Sequence, residues 1–205
     1  HNVSSAASDV YKRQNYMRII SGTKKGHNLI APRSKIARPM TDKNRETIFN
    51  IILHSKELAD CDFNLNKATV LDLFAGTGAF AFEAVSRGAK EAILVENDQY
   101  MIDIIFKNVD KLKLHTDISL ISKDATSIKP EDIEKNIDLV FLDPPYEKKL
   151  EFKAIKNLLK KKILKPNKII VVEQYSKETQ ITYDELELLR IKELGITRFS
   201  FFKVK

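Results

Sequence analysis

Cysteine occurs once in the 205 residues, at Cys61, which excludes an intrachain disulfide and fits a reducing, cytoplasmic setting. No apolar run approaches the ~18 residues a membrane span needs, so no membrane association is expected. The segment before Met17 lacks the hydrophobic core of a signal peptide. It is small, polar and aperiodic, and reads as a disordered tail or an artificial leader outside the fold. The four histidines, His1, His27, His54 and His115, are far apart and show no ligand spacing, so no metal site is expected. No local Ser-His-Asp arrangement is visible, and no internal repeat.

What is present is charge and an α/β rhythm. The chain carries a net charge of +7. Between Met17 and Arg45 stand Arg18, Lys24, Lys25, Arg33, Lys35, Arg38, Lys43 and Arg45 against one acid, Asp42, so this short stretch holds an excess equal to that of the whole chain. A solvated, flexible arm is one reading. Clustered cations that neutralise a nucleic-acid backbone are the sharper one. The length suits one domain with a small appendage: a leader at 1–16, a basic hairpin and helix at 17–60, and the main domain at 61–205.

The main domain is organised around Val70-Leu71-Asp72-Leu73-Phe74-Ala75-Gly76-Thr77-Gly78. A buried-strand pattern over 69–74 meets two glycines one residue apart, and a helical pattern follows, with Phe80, Ala84 and Val85 on one face and Glu83 and Arg87 on another. Such a turn lets a ligand approach the backbone and the free N–H groups of a helix start. Further strands are expected at 91–96, 118–122, 137–143, 168–173, 188–193 and 197–204. Helices are expected at 41–56, capped by Thr41, and at 98–114, 130–135 and 150–161, with a short helix or turn near 183–186. Alternation of this kind predicts a doubly wound, mostly parallel seven-stranded sheet, closed by a hairpin that adds an antiparallel strand at one edge.

In such a sheet ligands sit at the carboxyl ends of the strands. Acids stand at four of them, Asp72, Glu96, Asp124 and Asp143. Glu96 follows Gly76 by 20 residues, the spacing of an acid that grips ribose hydroxyls. Gly76 to Ala81 also fits the loose dinucleotide fingerprint, so spacing alone leaves a nicotinamide cofactor open. Asp72, just ahead of the turn, would repel a pyrophosphate and suits a ligand with a positive end, such as a sulfonium amino acid. The separating feature is Asp143-Pro144-Pro145-Tyr146. Its prolines fix the backbone, its carboxylate and carbonyls can accept from an exocyclic amine, and its ring can stack on a base. Acceptors that stabilise positive charge growing on such an amine lower the barrier to its methylation.

Asp72-x-Phe74-x-Gly76-x-Gly78 with this tetrapeptide resembles class I S-adenosylmethionine-dependent amino-methyltransferases. The resemblance extends over nearly all of 17–205. Arg18-Ile19-Ile20-Ser21-Gly22, Arg38-Pro39-Met40-Thr41-Asp42-Lys43-Asn44-Arg45-Glu46-Thr47, Glu83-Ala84-Val85-Ser86-Arg87-Gly88-Ala89 and Val95-Glu96-Asn97-Asp98 are similar to the RsmD (YhhF-like) family. Those enzymes methylate the N2 of a guanine in bacterial small-subunit ribosomal RNA. Ser21 stands where a glycine is common.

The resemblance implies a Rossmann-like fold, S-adenosylmethionine as cofactor, no metal, 16S ribosomal RNA or the small subunit as partner, and a monomer. It implies cofactor contacts from Asp72, Phe74, Ala75, Gly76, Gly78, Glu96, Asn97, Asp124 and Ala125. Asp143, Pro144, Pro145 and Tyr146 would hold the target guanine. Thr41 and Arg45 would close over cofactor or RNA, although Arg45 could equally pair with an acid. Arg18, Lys24, Lys25, Arg33 and Arg38 would contact RNA. Phe199, Phe201 and Phe202 are expected to pack on the sheet. The runs Lys148-Lys149 and Lys160-Lys161-Lys162 read as solvated helix faces, with Lys148 and Lys149 near enough to the tetrapeptide to touch RNA. Adenine-N6 methylation of DNA or RNA, and a non-catalytic RNA-binding assembly factor, stand beside this reading as alternatives.

Overall fold

Strand β1 (Thr69–Leu73) lies in the middle of a seven-stranded sheet of order β3-β2-β1-β4-β5-β7-β6 and is buried at every residue. The computed structural model describes residues 17–33, 40–146 and 148–205. The leader at 1–16, Lys35, Arg38 and position 147 lie outside the described residues. The other strands are β2 (Glu91–Glu96), β3 (Ile118–Ser122), β4 (Leu139–Leu142), β5 (Ile169–Tyr175), β6 (Leu186–Leu194) and β7 (Thr197–Val204). Strands β1 to β5 run parallel. The chain winds outward from β1 through β2 to β3, then returns to β4 on the other side of β1, pairing Leu73 with Leu142. That reversal opens the crevice beyond the β1 and β4 ends where ligands of open α/β sheets bind. It also puts the glycine turn beside the Asp-Pro-Pro-Tyr segment, although these are far apart in the chain.

The antiparallel strand is β7, one place in from the edge, between β5 and β6. Its burial explains the order. Seven of its eight residues are buried, including Phe199, Phe201 and Phe202, whereas β6 is largely exposed and interrupted by a bulge between Leu188 and Arg190. An aromatic strand with two apolar faces belongs inside, and a charged, bulged one suits an edge. The three phenylalanines pack in the sheet, as expected from the sequence.

Helices α1 (Asp42–His54), α2 (Lys56–Ala59), α3 (Ala79–Ser86), α4 (Gln99–Leu112) and α5 (Leu150–Lys160) cover the sheet. One core layer stacks Phe49 on Phe80 at 4.7 Å and Phe80 on Phe141 at 3.8 Å. The other gathers Leu71, Leu73, Ile155, Leu158 and Phe202. The helix expected through 56 divides at Ser55, whose extended backbone ends α1 and whose hydroxyl caps α2 by accepting from Leu58 N. The stretch 130–135 forms only a 3-10 turn, Pro130–Asp132, and 183–186 is a turn closed by Leu186 N on Tyr183 O. At the N-terminus the hairpin is reduced to a bridge between Arg18 and Asn28 with flanking bonds from Ile19 N to His27 O and Leu29 N to Met17 O.

Candidate active site

The chain leaves β1 through Phe74, whose φ of 61° is unusual for a residue with a β-carbon, and turns at Gly76 (55°) and Gly78 (79°). The glycines have different reasons. A β-carbon on Gly78 would meet Phe82 Cε2 at 2.7 Å and Leu94 Cδ2 at 2.8 Å, so close packing of α3 on the sheet requires that glycine. A β-carbon on Gly76 would meet nothing within 4 Å. Its backbone borders open space, which suits a ligand.

Glu96 ties the turn down. Its Oε2 accepts from Gly76 N at 2.7 Å, and its Oε1 accepts from Asn97 N and Asp98 N at 2.9 Å each. The ribose acid expected from spacing thus also fixes the glycine turn against the end of β2. Asp98 caps α4 by accepting from Met101 N. Beneath the turn, Asp72 is 2% exposed and accepts from Ala81 N at 3.3 Å. Burial pushes its carboxyl up to about 8, against the Ala81 bond, with Glu96 adding to the rise. No cationic side chain among the described residues pairs with it. At the end of β3, Asp124 Oδ1 accepts from Thr126 N at 2.8 Å and Thr126 Oγ1 at 2.9 Å, while Ala125 is buried in the core.

The Asp143-Pro144-Pro145-Tyr146 segment leaves β4 with Asp143 N donating to Leu73 O at 3.5 Å. Pro144 is buried and Pro145 exposed. Desolvation, then the charges of Glu173 and Asp72, hold the Asp143 carboxyl well above the usual carboxylate range. Tyr146 Oη donates to Glu173 Oε1 at 3.0 Å and lies 3.3 Å from Thr197 Oγ1. Its ring stands 6.1 Å from that of Tyr175. Burial and the neighbouring Glu173 raise the phenol above its ordinary value. Glu173 is 5% exposed, its Oε2 has no hydrogen-bond partner among the described residues, and burial pushes it up to about 7. Carboxyls from the C-terminal halves of β1 and β5 and from the residue after β4 therefore share one partly desolvated crevice. Glu173, Thr197 and Tyr175 were not singled out from the sequence. Glu173 could have been, because it ends the strand expected at 168–173 and obeys the acid-at-strand-end rule of the other four.

The basic segment is docked rather than free. Glu83, fully buried on α3, accepts from Ile20 N at 2.8 Å and Ser21 N at 3.0 Å and binds Arg87 at 2.6 Å. The face of α3 that carries Glu83 and Arg87, distinct from that of Phe80 and Ala84, is thus covered by residues 20–21, whose backbone amides use the Glu83 carboxylate. Ser86 Oγ accepts from Lys24 N and donates to Ser21 O. Asn108 on α4 accepts from Ile30 N at 2.7 Å and donates to Ile30 O and to Thr77 O of the glycine turn.

Arg45 makes the acid pairing that its sequence allowed: it is fully buried, 3.6 Å from Glu83 and 2.9 Å from Asp42, and it donates to Arg18 O at 2.6 Å. Burial lowers its pKa despite those acids. Thr41 caps α1 by accepting from Asn44 N and is exposed. Arg18 pairs with Asp42 at 3.2 Å. Lys25 and Arg33 are exposed and Lys24 is half-buried, and none of their side chains meets an acid among the described residues. No helix among the described residues is long and apolar enough to cross a membrane.

Comparison with known proteins gives a consistent result. A family model described as "Conserved hypothetical protein 95" matches residues 17–203. "Ribosomal RNA small subunit methyltransferase D" of Haemophilus influenzae is 32% identical over 189 residues, covering 91% of this chain and 93% of that protein. The protein of the same name in Buchnera aphidicola subsp. Acyrthosiphon pisum is 30% identical over 171 residues, covering 83% and 84%. The solved structure of yhhF from Escherichia coli matches with a TM-score of 0.76 at 29% identity, covering 93% of this chain and 99% of that one.

Proposed function

The chain belongs to the RsmD (YhhF-like) family, described as conserved hypothetical protein 95, and on that premise we propose that it transfers a methyl group from S-adenosylmethionine to the N2 amine of a guanine in bacterial 16S ribosomal RNA. The observation that carries the reading is the Asp143-to-Tyr146 segment at the crevice beside the glycine turn, with the Tyr146 hydroxyl tied to Glu173.

The residues present suit this cofactor. Gly76 borders open space, Glu96 ends β2 at ribose spacing, and Asp72 is a buried carboxyl with no cationic partner among the described residues. Asp72 would face the ligand's positive amino-acid end, the backbone from Phe74 to Gly78 would line its chain, Glu96 beside Asn97 would take the ribose, and Asp124 and Ala125 would border the adenine. The bound cofactor supplies an electrophilic methyl group on a sulfonium sulfur.

The protein's own contribution is orientation and electrostatics. A target base must leave its stack to reach the crevice. Tyr146 would stack on it, and Asp143 Oδ and the neighbouring backbone carbonyls would accept from the amine. That hold stabilises positive charge on nitrogen as it attacks. The amine must then lose a proton, which in this reading passes to Asp143 in its ionised form. The exposed cations Lys25 and Arg33, the half-buried Lys24, and Arg18 and Arg38 would bind the RNA backbone.

The test is methyl transfer from labelled S-adenosylmethionine to undermethylated small subunits, naked 16S RNA and duplex DNA, followed by nucleoside mass spectrometry. N2-methylguanosine supports the reading. Methyladenine instead would discard the substrate, and cofactor binding without any product would favour an assembly factor.

A further inference from the structure

Helix α5 presents one charge to solvent. Lys149 at its N-cap and Lys153, Lys156 and Lys160 along it are all exposed, and successive steps of four, three and four residues put them on one face. None of the four side chains has an ion pair or hydrogen bond among the described residues. The one acid of the helix, Glu151, is turned inward at 3% exposure, where it accepts from Gln174 at 3.1 Å. An ordinary solvated helix mixes its signs, as α4 does with exposed Asp103, Lys107, Asp110 and Lys111.

This face works against the helix that carries it. Like charges three or four residues apart are unfavourable by a few tenths of a kcal/mol per pair. Lys149 sits in the left-handed region with φ 52° and offers no side-chain cap, so it brings positive charge to the positive end of the helix. Local rules broken with no compensating contact among the described residues point to a partner outside the protein. The stripe begins three residues after Tyr146 and extends about 16 Å from the crevice at ~1.5 Å per residue.

We propose that this face is a second RNA-docking surface, on which Lys149, Lys153, Lys156 and Lys160 follow the phosphates of the strand flanking the target nucleotide. The proposal rests on the RNA methyltransferase reading. It changes the expectation of a merely solvated face, and it adds to the basic N-terminal segment, which covers α3 and not α5.

The experiment uses the full chain and naked 16S RNA, with the dissociation constant measured across a salt series. The variant Lys149→Gln/Lys153→Gln/Lys156→Gln/Lys160→Gln should bind at least tenfold more weakly. Its log–log salt slope should be shallower by about three, at ~0.7 per lost phosphate contact. The corresponding four-arginine variant should keep the slope. Lys107→Gln/Lys111→Gln on α4 serves as the control and should leave it unchanged. Singles Lys153→Gln and Lys156→Gln, each lowering the slope by ~0.7, decide the matter if the fourfold variant unfolds. A wild-type protein that methylates the RNA while the glutamine variants keep its slope overturns the docking surface alone, as does a control that weakens binding equally. A wild-type protein that neither binds nor methylates RNA overturns the methyltransferase reading and this surface with it.

Discussion

Tyr146 is held at its hydroxyl: it donates to Glu173 Oε1 at 3.0 Å, with Thr197 Oγ1 3.3 Å away. A ring fixed at its far edge keeps one orientation, which is what a stacking partner must do. Tyr146→Phe removes one partner of a buried carboxyl and should destabilise the protein by about 1–3 kcal/mol. Turnover should fall while Glu173→Gln, which keeps an acceptor oxygen for the hydroxyl, stays closer to wild type than Glu173→Ala. Denaturant melts and single-turnover methylation check both; equal losses in the two Glu173 variants would contradict the role given to the bond.

On the proposed reading, Asp72 would couple cofactor binding to protons. In the free protein its carboxyl titrates near 8, so it is largely protonated at neutral pH. A ligand's positive end favours the ionised form, so binding below about pH 8 should release a proton, and affinity should rise with pH until it levels there. Calorimetry in buffers of different ionisation enthalpy reads the released proton. Asp72→Asn should bind more weakly and lose this release.

Asp143→Ala should abolish turnover yet leave cofactor affinity within about tenfold, ~1.4 kcal/mol. A labelled-methyl assay beside equilibrium binding separates the two effects.

The buried carboxyls set the pH profile of stability. Asp72, Asp143 and Glu173 are raised above their ordinary values in the fold, so between roughly pH 4 and pH 8 the folded state binds more protons than the unfolded chain. Their contribution to stability is therefore greatest at low pH and is lost as pH rises through the folded values. For these groups the ligand-free protein should melt higher near pH 5 than near pH 8, and Glu173→Gln should flatten the trend.

The Arg45–Glu83 pair is a second place where one partner cannot be removed cheaply. Arg45→Met leaves Glu83 facing Arg87 and two backbone amides, whereas Glu83→Gln leaves a buried cation and weakened bonds to Ile20 and Ser21. Losing one partner of an isolated buried pair costs about 3–5 kcal/mol; because Arg45 keeps Asp42 and Glu83 keeps Arg87, each variant should cost less than that. Glu83→Gln should also expose the 17–33 segment to limited proteolysis before the sheet unfolds.

Much of this was legible from residues alone. The strands at 91–96, 118–122 and 197–204 have the bounds expected from pattern, because alternation and burial in a strand are local properties. Asp98 capping α4 and Thr41 capping α1 were readable for the same reason. Arg45 and Glu83 were harder. Each is a charged residue in a helix, where exposure is the ordinary expectation, and only the N-terminal segment lying across α3 buries them.

The sequence by itself determined the class of fold and the chemistry that could be expected of it: a glycine turn after a buried strand, acids at strand ends, and Asp-Pro-Pro-Tyr. Tertiary structure decided which of these meet. The return of the chain to β4 beside β1 sets Leu142 against Leu73, so Asp143 and Asp72 enter one crevice. The pairing of β7 with β5 brings Thr197 and Glu173 to Tyr146. Strand order is fixed by which faces must be buried across the whole sheet, a sum over distant residues that no local window contains. The altered proton affinities arise the same way, because desolvation belongs to the assembled core and not to any one side chain.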